Sequence, residues 1–461
     1  MRKFAAVLAL LASGCASLQP AYVRPDPAVP ASWPTGDPYL LRTEAALPTV
    51  TYQDIFRDPR LQALIEQALV NNRDLAAAAA NIAAAREQVR IQRAGQFPQV
   101  DASAGASVSD DSRYQVGAGV TGFELDLFGR LKSLTDVQRN RYLATEAGAR
   151  ATRLTLVADI ATAWLTYAAD RSLLRIADET VASADKSVRL TRARLEGGIA
   201  PRTDLRQAEQ VLEAAKADAA DQKTALAQDV NLLQLLVGEP ISTGLLPTSI
   251  DEAAPQIAEL PAGLSSEVLL RRPDVVEAEY QLRAANAQIG AARAALFPRI
   301  SLTGLVGLAS SALTGLFSGG AFQWSAGADA TYSIFNAGAG RANVRLTEAQ
   351  RAAAVAEYQG TIQQAFREVS DALARRGTIG ETLRARTAQQ AAAADTVRLT
   401  DARYRNGIES FLGLLDAQRS LYSAQRTLVI NRLNAAANLV DLYQALGGDS
   451  FVQSAPAAPQ Q

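Results

Sequence analysis

Leu414, Leu421, Leu428, Ala435 and Leu442 recur every seven residues, and Leu415, Tyr422, Val429, Ala436 and Tyr443 form a second series beside them. Seven residues fall short of two straight helical turns, so holding both rows against neighbours demands a left-handed supercoil. The pattern predicts a coiled-coil helix over 411–446. The same object stands 209 residues earlier, at Leu205, Leu212, Ala219, Leu226 and Leu233, behind Gly197-Gly198-Ile199 where the later copy has Asn406-Gly407-Ile408. Further upstream the offset is 200, matching Arg73-Asp74 with Pro273-Asp274 and Phe97-Pro98 with Phe297-Pro298. The chain is therefore two copies of one unit of roughly 180 residues, a repeat to be recognised before any local reading.

Inside each unit the period switches from helical to two. After Phe97-Pro98, Val100, Ala102, Ala104, Ala106 and Val108 alternate with polar or glycine positions, and Tyr114, Val116, Ala118 and Val120 do the same beyond the turn 110–113. The parity slips at Gly122, so that Phe123, Leu125 and Leu127 continue the apolar series, which predicts a bulge or the exit from the sheet. In the second unit Ile300, Leu302, Gly304, Val306 and Leu308 answer Phe322, Trp324, Ala326, Ala328, Ala330, Tyr332 and Ile334 across a Gly/Ser loop. Hairpins are expected at 99–128 and 299–335. Strands this long suit a tilted membrane crossing, and Tyr114, Phe128, Phe322, Trp324, Tyr332 and Phe335 would serve as interfacial aromatics, although a soluble sandwich also alternates.

The remaining periods are helical. One helix is expected from Asp58 to Gly95 with few interruptions, and very long ones from Gly129 to about Leu195 and from Arg341 to about Arg405. Each long helix would span roughly 95 Å at 1.5 Å per residue, beyond any compact domain. The second carries two apolar stripes, one with Leu346, Ala349, Ala353 and Ala356 and one with Val355, Tyr358, Ile362 and Ala365, so it needs neighbours on both sides. Four strands are too few to close a barrel alone, whereas three copies give twelve and remove every edge. The fold class expected is mainly α with a pair of β-hairpins, and three copies would set their coiled-coil helices in a trimeric α-barrel beneath a shared twelve-stranded transmembrane β-barrel.

Composition narrows the chemistry. The balance of 46 basic and 47 acidic residues gives nucleic acid no electrostatic foothold, and the absence of histidine excludes imidazole catalysis and histidine-bound zinc. No cluster of Asp and Glu stands apart from solvated helix faces, which leaves a paired-carboxylate enzyme unsupported. No cofactor is expected. The only cysteine, Cys15, follows a charged start, an apolar run from Phe4 to Ala12 and the small residues Ser13-Gly14, the layout of a secretory signal. The division expected is a signal peptide at 1–14, a proline-rich tether at 15–57, the first repeat at 58–238, a linker at 239–263, the second repeat at 264–447 and a disordered tail at 448–461.

Leu11-Ala12-Ser13-Gly14-Cys15 resembles a bacterial lipobox, departing from it at Ala12, where leucine is usual; the resemblance implies a lipidated (palmitoylated) Cys15, and Ala16 implies outer-membrane sorting. With Arg271-Arg272-Pro273-Asp274, the Phe-Pro pairs and Tyr404-Arg405-Asn406-Gly407-Ile408 running into Phe411-Leu412-Gly413-Leu414-Leu415-Asp416, the chain resembles the TolC superfamily of outer-membrane efflux channels, OprM/NodT-like lipoprotein branch. That resemblance implies a homotrimer in outer-membrane lipid, a periplasmic adaptor (membrane fusion protein) and an inner-membrane pump of the RND type, as in multidrug resistance. It implies a periplasmic gate with Leu412 as apolar ring and Asp416 as acidic ring, Gly413 standing where some members carry a second acid. It implies a latch between Tyr404 and Thr203-Asp204, with Glu409 in place of the accompanying arginine, although Thr203 or Asp204 would equally serve as a helix cap. The tips Gly197, Gly198, Ile199 and Asn406, Gly407, Ile408 would meet the adaptor. The competing reading is a periplasmic adaptor or structural coiled-coil lipoprotein, which would carry one helical hairpin rather than two split units.

Overall fold

The computed structural model describes residues 18–34, 36, 39, 51–258 and 266–448. The expected signal peptide, Cys15 and the tail beyond Gly448 lie outside the described residues. In chain order the main elements are α1 (Tyr52–Ile55), α2 (Pro59–Asn71), α3 (Arg73–Ala94), β1 (Val100–Ser107), β2 (Arg113–Leu125), α4 (Arg130–Glu196), α5 (Arg202–Val237), α6 (Ile250–Ala253), α7 (Pro273–Ala294), β3 (Arg299–Ser310), β4 (Phe322–Thr331), α8 (Ala339–Arg405) and α9 (Phe411–Ala445). They divide into two compact units, one drawn from residues up to Ala28, 78–149 and 274–361, the other from 29–77, 150–273 and from Ile362 onward.

The first unit holds a four-stranded antiparallel sheet in the order β1-β2-β3-β4. Directly opposed residues of an antiparallel ladder point to the same side, so the register decides whether the four alternating series reinforce one another. They do. Ala102 opposes Ala118, Ala118 opposes Val306 and Val306 opposes Trp324, while Ala104, Val116, Leu308 and Phe322 form the next row. One face is thus apolar across all four strands, with Ser310 at the loop end as its polar exception. The other carries Asp101, Ser103, Gln115, Ser301, Thr303, Gln323, Ser325 and Asp329, with Leu305 and Ala309 as apolar exceptions. The register shift between Val120 and Phe123 is the bulge that the parity slip predicts. Gly122 sits there at φ +68°, a left-handed conformation that costs glycine nothing, and it returns Phe123 and Leu125 to the apolar side. β4 stops at Thr331, short of the alternation that ran to Ile334; Ile334 and Phe335 are instead 92% and 86% exposed in the connection to α8.

In the same unit the N-terminal stretch lies along α7 and α8. Arg24 Nη2 donates to Glu279 Oε2 at 2.5 Å, the Tyr22 hydroxyl donates to Glu279 Oε1 at 3.2 Å, and Asn286 Nδ2 donates to the Pro20 carbonyl at 2.8 Å. Burial pulls the Glu279 carboxyl upward, but Arg24 and Arg283 together hold it below the usual carboxylate range. Prolines forbid this stretch a helix, and these side chains fix it as an extended strap.

The second unit is built around α4. Ile160, Trp164 and Leu165 are fully buried among Leu61, Leu64 and Ile65 of α2, Leu233 and Val237 of α5, and Val440 and Tyr443 of α9. Each such side chain contributes about 1.5–3 kcal/mol by leaving water. The segment 239–258 covers this core: Trp164 Nε1 donates to the Leu245 carbonyl at 3.0 Å, and Ser172 Oγ accepts from the Ile250 amide at 2.9 Å.

Two expectations need correction here. The helix expected over 58–95 with few interruptions is two helices, broken at Asn72, whose Oδ1 accepts from the Asp74 and Leu75 amides at 2.9 and 3.0 Å while Nδ2 donates to the Leu236 carbonyl at 2.8 Å. An asparagine able to satisfy a new helix start and a neighbouring helix end at once outcompetes one uninterrupted ladder. The proline-rich stretch 15–57, expected as a tether, ends in the short helix α1, started by a capping box in which Thr51 and Asp54 satisfy each other. The stripe of α8 with Tyr358, Ile362 and Ala365 is buried, whereas Leu346 on the other stripe is 54% exposed.

Candidate functional site

The two turns between long helices are built alike. At the α4 end the Ile199 amide donates to the Arg194 carbonyl at 2.8 Å and the Gly198 amide to Leu195 at 2.9 Å; at the α8 end Ile408 donates to Arg403 at 2.9 Å and Gly407 to Tyr404 at 3.0 Å. This is the paired closure of a Schellman motif, and Gly198 and Gly407 occupy its left-handed position at φ +71° and +73°. The hydrophobic residue following each glycine usually folds back onto its own helix. Here Ile199 and Ile408 stay 71% and 66% exposed, so each tip presents an uncovered isoleucine.

Behind the tips, Tyr404 and Phe411 join Ala184, Val188, Leu205, Ala208, Leu212, Leu414 and Leu415 in one apolar cluster. Tyr404 is 5% exposed, packs its ring 5.7 Å from that of Phe411 and lies under the Arg194 guanidinium at 4.7 Å. Its hydroxyl makes no hydrogen bond to Thr203 or Asp204 within the chain. Neither of those residues caps α5, which begins after Pro201 without a side-chain cap. Leu412 and Asp416 stand one helical turn apart on α9, both exposed, on the face turned away from Leu414 and Leu415. A Cβ on Gly413 would approach Glu409 Oε1 to 2.7 Å, and Glu409 lies 3.5 Å from Arg403. An acidic side chain at 413 would meet a carboxylate already in place, which accounts physically for a single acid on this face.

Sequence reasoning missed a polar tie between the two heptad helices. The Tyr422 hydroxyl donates to Asp218 Oδ2 at 2.7 Å, and Arg426 Nη1 lies 3.5 Å from the same oxygen. Burial and the Asp218 carboxylate push the Tyr422 hydroxyl up to about 12. A cavity of about 320 Å³ opens beside it, lined by Val211, Ala214, Ala215, Leu421 and Gln425, so α5 and α9 meet through this tie where their apolar packing is thin. The heptad position made Tyr422 read as core. Tyr422→Phe is expected to cost about 1 kcal/mol, the net worth of one such hydrogen bond, read as a small drop in thermal midpoint that Asp218→Asn reproduces and the double variant does not enlarge.

The model of the family described as outer membrane efflux protein matches residues 64–239 and 264–448, the two repeats. The probable efflux pump outer membrane protein TtgC of Pseudomonas putida is 43% identical over 471 aligned residues, covering 99% of this chain and 97% of that protein. The outer membrane protein OprJ of Pseudomonas aeruginosa is 40% identical over 96% of this chain and 95% of its own length. Among solved structures, the open state of the Neisseria gonorrhoeae MtrE outer membrane channel superposes with a TM-score of 0.85 at 35% identity, over 94% of this chain and 98% of that one. The channel CusC gives a TM-score of 0.84 at 36% identity over 94% and 100%. The chain belongs to the outer membrane efflux protein family. It is an outer-membrane channel component of an efflux system, which sets aside the adaptor reading.

Proposed function

We propose that three copies of this chain close a twelve-stranded barrel and act as a passive exit duct, without cofactor or bond chemistry, for small molecules expelled by an inner-membrane pump through a periplasmic adaptor. The observation that carries this is the sheet: one face apolar across all four strands, the other polar, and edge strands β1 and β4 exposed along their whole length. Such edges template pairing, and only closure removes them. The apolar face meets lipid, with Tyr114, Phe322 and Trp324 toward its loop end as interfacial aromatics. Cys15 carries the lipid anchor and the proline-rich segment is its tether.

In this reading the exposed tips 197–199 and 406–408 receive the adaptor, and the pump is of the RND type. Leu412 and Asp416 supply the apolar and acidic rings of the gate, and the Tyr404 cluster beside Thr203-Asp204 is the joint at which the helix pairs part. Three carboxylates drawn together repel unless a cation joins them. Purified protein is expected to run as an SDS-resistant trimer and to conduct in planar bilayers. Asp416→Asn is expected to raise the divalent-cation concentration for half block by roughly tenfold. A monomeric species without conductance would overturn the duct, and block unchanged in Asp416→Asn would overturn the gate.

A further inference from the structure

Inside one chain the two repeats meet at an aromatic pair: Phe128, in the connection from β2 to α4, stacks on Phe297, at the corner from α7 to β3, with ring centroids 4.6 Å apart and planes inclined by 20°. The repeat supplies the same two residues once more. Phe335 follows Phe128 at 207 residues, in Ser333-Ile334-Phe335-Asn336 against Asp126-Leu127-Phe128-Gly129, and Phe97-Pro98 precedes Phe297-Pro298 at 200. Among the described residues these counterparts are unmatched: Phe335 is 86% exposed, Ile334 92% and Phe97 59%. The strands beside them are equally unmatched, since β2 pairs with β3 while β4 and β1 are the edges.

We infer that Phe335 of one copy stacks on the partner subunit's Phe97, reproducing between subunits the Phe128–Phe297 contact made within each. The occupant of this exposed aromatic corner is therefore a second copy of the chain, and not lipid or another protein. Pseudo-symmetry also fixes the register of the seam. Phe123 opposes Leu302 in the observed ladder; carried through the two offsets, Ala330 opposes the partner subunit's Ala102. Both lie on the apolar face, as the match requires, because a slip by one residue would turn each strand's apolar set inward. The seam also gives Tyr332 a ladder partner in the partner subunit's Val100, as Leu125 has in Ile300.

This rests on the trimeric reading, so the test separates the two. Wild-type protein in native outer-membrane vesicles is first sized by native gel; absence of trimers would count against the duct itself. In trimers, Ala102→Cys with Ala330→Cys, which leaves all four rings in place, is expected to give disulfide-linked dimers and trimers on oxidation, directly opposed strand positions being within disulfide reach. Phe97→Cys with Phe335→Cys is expected to give intersubunit adducts with a short bis-maleimide. Phe128→Cys with Phe297→Cys is expected to give adducts that run as single chains, and each single variant none. Trimers in which neither the 102/330 nor the 97/335 pair links different chains would overturn the inference.

Discussion

Replacing Arg272 by alanine is expected to lower the unfolding free energy by about 3 kcal/mol, the upper range for a buried group bonded through charge. Arg272 is 8% exposed; its Nη1 donates to the Ala445 carbonyl at 2.6 Å and its Nη2 to Glu368 Oε2 at 2.9 Å. Ala445 is the last residue of α9, so the guanidinium satisfies an orphan carbonyl at the negative end of that helix while neutralising a carboxylate on α8. Deletion leaves a buried carbonyl unpaired. Glu368 is 36% exposed in its side chain and regains water, so most of the loss comes from the carbonyl. Arg272→Lys keeps the charge but not the fork that reaches both partners, and is expected to recover about half. Thermal unfolding in detergent should show the order wild type, lysine, alanine, with the alanine midpoint roughly 5 °C or more below wild type. Equal midpoints for wild type and alanine would discard the capping role.

The residue doing this lies in Arg271-Arg272-Pro273-Asp274, legible as a family signature but silent about its partner. Periodicity reports which face of an element is apolar, and it gave α9, the matching helix α5 and the four strands together with the bulge at Gly122. It cannot report where a long side chain ends. Arg272 reaches a carbonyl 173 positions away, Tyr422 a carboxylate 204 away. At Asn72 the alanine-rich helix pattern on its C-terminal side hides the break, which the Leu236 carbonyl beside the asparagine fixes. At the site, Leu412 and Asp416 were legible only through the family resemblance, since neither belongs to the heptad rows, and the burial of Tyr404 beneath Arg194 depended on two turns folding alike.

Asp229→Asn is expected to stabilise the protein at pH 8 and to leave it unchanged at pH 4. Asp229 on α5 and Asp170 on α4 lie close enough to interact, and Asp229 Oδ2 has no hydrogen-bond partner among the described residues. Burial first, and then the charge of Asp170, push the Asp229 carboxyl from 3.8 up to about 7; burial also raises Asp170. A carboxyl that holds its proton more tightly folded than unfolded contributes stability that is complete below about pH 4 and is lost as pH rises through about 7. Asparagine cannot ionise and can still donate to Asp170, so it removes that loss. The pair is partly solvated, which reduces the gain to about 1–2 kcal/mol. Thermal midpoints at pH 4 and 8 decide it: a gain confined to pH 8 is expected, shared by Asp170→Asn. A gain of equal size at both values would mean that packing, and not a shared proton, sets the energy of the pair.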